Sequence, residues 1–81
     1  MRQKVIRAIQ VHAQEQYPRE CCGAIAQRGR VERYFPCRNI ADDPQEHFVL
    51  APEDYARVED WGTVTGIVHS HPALLNKSDF G

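Results

Sequence analysis

Hydrophobic residues near the start of the chain recur at spacings of three and four positions. Within residues 2–16, His12 falls on the same face as the apolar residues, which are Val5, Ile6, Ile9 and Ala13. This periodicity predicts an amphipathic helix. We expect it to end at Tyr17-Pro18, because a residue that precedes proline avoids the helical region. A histidine on such a face is usually packed against its neighbours, so we assign His12 a structural role.

A run of small apolar residues and a returning segment predict a β-hairpin. Residues 21–26 have the small, uncharged side chains of a buried strand, and residues 31–38 carry the β-branched and aromatic residues of a partner strand. Gly29 lies between them, where a tight turn favours glycine. Residues 39–46 combine turn formers with charge and predict a loop, after which residues 47–50 predict a third, short strand.

Proline and acidic residues mark the start of a second helix. The segment Pro52-Glu53-Asp54 places proline in the first turn and carboxylates near the positive end of the helix dipole. We expect this helix to run to about Asp60, with Tyr55 and Val58 facing inward. Residues 63–68 are rich in β-branched side chains and predict the central strand of the sheet. The predicted order is α-β-β-β-α-β, an α/β (α+β) fold.

The composition describes one soluble domain. Eighty-one residues leave no room for a second one. Ten Lys and Arg against eleven Asp and Glu give a net charge of -1 without a basic cluster, so we expect no nucleic-acid binding. No apolar run approaches the roughly 20 residues that cross a bilayer, and the N-terminus lacks the apolar core of a signal peptide. Three cysteines suit a reducing compartment, so we expect an intracellular protein that does not bind membranes.

Two histidines near the end of the chain are the first candidates for chemistry. His69 and His71 follow a short apolar run and precede a proline. In an extended strand, a spacing of two places both imidazoles on the same side. Two convergent imidazoles are half of a zinc site. Hydrolytic metal sites also need a carboxylate to handle the proton of water, and Glu20, at the start of the first predicted strand, is the candidate.

The paired cysteines Cys21 and Cys22 offer a different chemistry. A thiol nucleophile needs a neighbouring base, and the chain contains histidines that could serve. Small apolar residues follow the pair, however, and cysteine is among the most buried residue types. We therefore prefer a packing role over catalysis for these two residues, and we expect Cys37 to be half-buried.

Three segments, in this order, resemble the JAMM (MPN-plus) zinc metalloprotease family and in particular its phage tail branch. Residues 17–23 look like the family's Pro-x-Glu-x-Cys-Gly start of the first strand. Residues 47–55 look like the strand-to-helix step of the phage branch, and residues 67–72 match its His-x-His-Pro motif. The resemblance covers residues 1–72, whereas residues 73–81 form a divergent tail.

This resemblance implies a fold, a cofactor and a set of roles. The implied fold is a JAMM-like (cytidine-deaminase-like) mixed sheet flanked by helices, incomplete at its C-terminal end, within a single partial domain over residues 1–81. In the family, two histidines, an aspartate and water hold one zinc ion, and an upstream glutamate is the general acid/base. By position, His69 and His71 correspond to the metal ligands and Glu20 to the catalytic acid/base. The implied reaction is hydrolysis of a peptide or isopeptide bond.

The chain departs from the family pattern after Pro72. The family continues to Ser-x-x-Asp, whose aspartate would fall one position beyond Gly81, whereas Ser78 and Asp79 are adjacent here. Three explanations compete: a truncated or frameshifted prophage remnant, a chain cut short, and a shortened loop in which Asp79 still reaches the metal and Ser78 supports the site. The first two together are preferred.

Three hypotheses on function follow. The first is a zinc-dependent peptidase or isopeptidase of (pro)phage tail origin. The second is an inactive remnant or a tail assembly module, and the third is a thiol-based enzyme. The expected partners are a protein or peptide substrate or phage tail proteins, and an open sheet edge favours self-association. We expect the protein in the cytoplasm of the prophage's host or in the virion tail.

Overall fold

Two helices and three strands form the fold of residues 2–72, which are the residues that the computed structural model describes. In chain order they are α1 (Gln3–Gln16), β1 (Cys22–Arg28), β2 (Val31–Cys37), α2 (Pro52–Trp61) and β3 (Thr63–His69). This arrangement confirms the predicted α+β class. Of the helices in this part of the chain, neither has the length and apolar character needed to cross a bilayer.

The strands lie in the order β2-β1-β3, and both pairings are antiparallel. The prediction of a mixed sheet is therefore wrong for residues 2–72. The prediction of the central strand is also wrong, because β1 occupies the centre and β3, among the described residues, pairs with β1 alone. The burial patterns give the reason. The first five positions of β1 are all buried, whereas β3 alternates between exposed and partly buried positions.

A two-residue turn joins β1 to β2. The register pairs Arg28 with Val31, which leaves Gly29 and Arg30 in the turn. Gly29 has a φ of 60°, in the left-handed region where a side chain is unfavourable. The predicted hairpin and its glycine turn are confirmed.

The predicted third strand at residues 47–50 is wrong. This segment makes only an isolated bridge, between Leu50 and Asn39. Two of its main-chain groups, the His47 carbonyl and the Val49 N–H, bond to the side-chain amide of Asn39. The Val49 carbonyl accepts from the Ile40 N–H at 2.8 Å, which is too little pairing for a strand. The observed order is α-β-β-α-β.

Each face of the sheet has its own core. On the α1 face, Val5 packs with Ile25 and Tyr34. Side chains along β1 alternate between the two faces of the sheet. The residues buried on the α2 face are Cys22, Ala24, Ala26, Cys37 and Val58. Ile6, predicted to face inward, is 37% exposed, and Cys37, predicted to be half-buried, is 6% exposed.

The histidine on α1 is buried and hydrogen-bonded. The Nδ1 atom of His12 lies 2.8 Å from the hydroxyl oxygen of Tyr34. Burial lowers the pKa of His12, so the neutral ring is favoured. Its environment fits the structural role that we assigned to it.

Gly23 is required by the close approach of β2 and its tyrosine. A Cβ atom at this position would lie 2.5 Å from the main-chain oxygen of Phe35 and 2.5 Å from the ring of Tyr34. At Gly66 in β3, a Cβ atom would meet nothing within 4 Å. The two glycines are therefore a matched pair for a test of packing.

We predict that Gly23→Ala lowers the free energy of unfolding by roughly 1–3 kcal/mol, because overpacking forces the backbone or the tyrosine to move. Gly66→Ala should leave stability unchanged or raise it by up to about 1 kcal/mol, since alanine loses less conformational freedom on folding. Urea unfolding of the two variants measures both effects. Equal stability of the two variants would contradict the packing at Gly23.

Candidate metal centre

The pairing of β1 with β3 brings the start of one strand to the end of the other. Cys22 pairs with His69 across the ladder. Just beyond that pair, the Cys21 N–H donates to the Ser70 hydroxyl at 2.9 Å, and the Ser70 N–H donates to the Cys21 carbonyl at 3.1 Å. These two bonds join Ser70 to Cys21. They therefore hold the histidines on either side of Ser70 close to Glu20.

Glu20, His69 and His71 meet at this point, as the sequence predicts. One possible ligand atom from each of the three lies within 4.8 Å of the others. The two imidazole rings are 4.5 Å apart between centroids, with an angle of 80° between their planes. β3 ends at His69, so His71 reaches the cluster from just beyond the strand.

The carboxylate of Glu20 is buried and incompletely bonded. The residue is 2% exposed, and its Oε1 atom has no hydrogen-bond partner among residues 2–72. That oxygen lies 3.4 Å from Nδ1 of His69, which is an ion-pair distance but not a hydrogen bond. A buried acceptor left unbonded costs about 1–3 kcal/mol. Two imidazoles and a carboxylate are ligand types suited to zinc, so this cluster fits a bound cation.

An aromatic ring lies over one of the imidazoles. Phe48 stacks on His69 with 4.4 Å between ring centroids and 18° between planes. The side chain of His69 is 32% exposed, so the imidazole is held on one side and open to solvent on another. The stack limits how far the ring can rotate.

Sequence reasoning missed the residues that support the cluster. Ser70 could have been found, because a hydroxyl between two convergent histidines can reach a neighbouring strand. Phe48 was expected in a strand, and its contact with His69 joins segments about twenty positions apart. Asn39 was assigned to a loop, yet it is 6% exposed and bonds the Glu20 carbonyl. A single buried amide in a loop produces no periodic pattern in the sequence, so sequence analysis does not find it.

The three cysteines are free and buried. Burial raises the pKa of the Cys22 thiol to about 11, and it also raises the pKa of Cys37. Cys21 is 1% exposed. A catalytic thiol needs an accessible site that favours the thiolate, so these surroundings support packing roles.

Two predicted site residues cannot be placed. Ser78 and Asp79 lie outside the described residues, so their proposed roles remain predictions from the sequence.

A cleft lies away from this cluster. It has a volume of about 490 Å³ and borders β2, between His12 of α1 and Asp54 of α2. None of the three cluster residues lines it. An ion pair of 3.0 Å between Arg38 and Asp54 occupies its rim. We place the candidate chemistry at the cluster, because the cleft's carboxylate is already paired.

The fold and the cluster define a small α+β domain with a candidate metal centre at one end of its sheet. The chain belongs to the family described as prokaryotic homologs of the JAB domain, whose profile matches residues 2–77. It is also similar to the tail tip assembly protein K of Escherichia phage N15, with 69% identity over 72 residues. That match covers 89% of this chain and 30% of the relative. No solved structure matches the chain.

We predict that the folded protein does not react with a thiol reagent at pH 8, because all three cysteines are buried and the pKa of Cys22 lies well above that pH. In denaturant, all three should react. The absorbance of the thiolate that the reagent releases gives the number of cysteines that have reacted. Rapid labelling of the folded protein would contradict the packing roles.

Proposed function

We propose that this chain is the metal-dependent hydrolase domain of a phage tail assembly protein and that it cleaves a peptide or isopeptide bond. The observation that supports this most strongly is the buried Oε1 atom of Glu20, which lies beside two histidines and has no hydrogen-bond partner among residues 2–72. A buried polar group without a partner calls for an explanation, and a catalytic role or a bound ion supplies one. Membership of the JAB family supports the same reading.

Each residue of the cluster has a distinct role in this proposal. His69 and His71 hold one zinc ion, and Asp79 is the proposed third ligand, with Ser78 as a supporting hydroxyl. Zinc, when bound, supplies Lewis acidity toward water and the scissile carbonyl. Glu20 accepts the proton of the attacking water at Oε1. As the carbon–nitrogen bond breaks, Glu20 returns that proton to the leaving amine.

A second candidate function is binding without catalysis. The relative in phage N15 is named for tail tip assembly, and this chain spans only 30% of its length. A domain that keeps the fold and binds other tail proteins would meet that description. Under either candidate, the partners are proteins, and the sites of action are the host cytoplasm and the virion tail.

We predict that His69→Ala combined with His71→Ala abolishes zinc binding. The loss of two ligands should lower affinity by more than about 100-fold, since changes around a site alone cost 10–100-fold. His47→Ala is the control, because His47 is exposed and outside the cluster. Zinc content after dialysis is the measurement.

Equal zinc content in the double variant and the unchanged protein would refute the ligand assignment. A folded, unchanged protein that takes up no zinc would favour the binding module instead.

We also predict that Glu20→Gln retains zinc and loses hydrolysis. Removal of a general base lowers the rate by about 10²–10⁴-fold, and an amide cannot take the proton. Glu46→Gln, at an exposed position, is the control. Cleavage of a peptide library, followed by mass spectrometry, gives the rate. Undiminished cleavage by Glu20→Gln would remove Glu20 from the mechanism.

A further inference from the structure

The side chain of Asn39 joins separate segments of the chain beside the metal centre. Its Nδ2 atom shares its two N–H groups among three main-chain oxygens, those of Glu20 at 3.0 Å, Pro44 at 3.3 Å and His47 at 3.0 Å. Its Oδ1 atom accepts from two main-chain N–H groups, those of Ala41 at 3.0 Å and Val49 at 3.1 Å. One buried amide thus closes the loop of residues 39–50 on itself and onto Glu20.

One set of these bonds holds the main chain of Glu20. The Glu20 carbonyl accepts from Asn39, and the Glu20 N–H donates to the Pro44 carbonyl at 2.6 Å. Pro44 is itself bonded to the Asn39 amide. Both polar main-chain groups of the proposed general base are therefore fixed by this loop.

The other set holds the aromatic ring that covers a proposed ligand. Phe48 lies between His47 and Val49, which both bond to Asn39. The Phe48 ring stacks on His69 at 4.4 Å. Any displacement of the loop would therefore change the surroundings of the His69 imidazole.

We infer that Asn39 is a positioning residue of the metal centre, whose single amide keeps Glu20 and Phe48 in fixed relation to His69. This inference rests on the proposed function, whereas the hydrogen bonds of Asn39 and the stack of Phe48 on His69 are independent of that function. Asn39 bonds only main-chain groups and acts through Glu20 and Phe48.

Only an amide satisfies this arrangement. Asparagine has two N–H donors and an acceptor in one plane, whereas an ionised aspartate of the same shape only accepts. In Asn39→Asp, a carboxylate oxygen would face three carbonyl oxygens. The bonds to Ala41 and Val49 could remain, while those to Glu20 and to the other two carbonyls would be lost.

The test compares Asn39→Asp with Val5→Ala in the full chain. Val5 is buried on the α1 face, so its truncation lowers stability without touching the loop. In metal-free protein, the ring protons of His69 should carry an NMR shift from the stacked Phe48. That shift should fall toward the random-coil value in Asn39→Asp and persist in Val5→Ala.

Metal binding supplies the second measurement. Cobalt(II) titration, followed by visible absorption, should show an affinity about 10–100-fold weaker in Asn39→Asp than in the unchanged protein. This is the loss typically seen when a residue that orients a metal ligand is replaced. Val5→Ala should bind as the unchanged protein does. A folded Asn39→Asp that keeps both the His69 shift and the cobalt affinity would overturn the inference.

The two proposals can fail separately. If the unchanged protein binds no cobalt, the proposed function fails, and the His69 shift alone then decides the role of Asn39. If Asn39→Asp does not fold, Asn39→Ser replaces it, because a hydroxyl can still donate to one carbonyl. In Asn39→Ser, a His69 shift that moves part of the way toward the random-coil value supports the positioning role. An unchanged His69 shift in the folded serine variant refutes it.

Discussion

The antiparallel pairing of β1 with β3 is the constraint on which the candidate site depends. Glu20 and the two histidines are about fifty positions apart in the sequence, and the pairing of Cys22 with His69 brings them together. The mutual bonds between Cys21 and Ser70 then continue the contact beyond the strands. A slip of one residue would turn every side chain of β3 to the opposite face and separate His69 from the carboxylate.

Central placement of β1 also explains why Glu20 is buried. A central strand has neighbours on both edges and helices over both faces, so the residue just before it begins is enclosed. The loop of residues 39–50 completes that enclosure through the bonds of Asn39. Within residues 2–72 the Oε1 atom of Glu20 has no hydrogen-bond partner, and such a buried acceptor costs about 1–3 kcal/mol, a sizeable share of the 5–15 kcal/mol typical of a folded domain. The two cores on either side of the sheet must offset this cost.

The sequence predicts local features of this fold better than its long-range contacts. Both helices, the hairpin and Gly29 follow from periodicity and turn chemistry, which act over a few residues. The position of β3 does not, because a β-branched run indicates a strand without saying which neighbour it pairs with. Residues 47–50 show the same limit, since the Asn39 side chain bonds two of the main-chain groups that a strand would use. The proximity of Glu20, His69 and His71 could be predicted because their chemical types and order are distinctive. The supporting bonds of Asn39 could not, because they join segments far apart in the sequence.

The histidines show that environment, rather than residue type, separates structure from chemistry. His12 is buried, bonded to Tyr34 at 2.8 Å and kept neutral by a lowered pKa. The hydroxyl of Tyr34 thus occupies one of its two ring nitrogens. His69 lies partly open to solvent beside an acceptor that has no hydrogen bond to the described part of the chain. Imidazoles open to solvent can hold a cation, and the carboxylate oxygen beside them can accept a proton, whereas the Nδ1 atom of His12 is already bonded within the core.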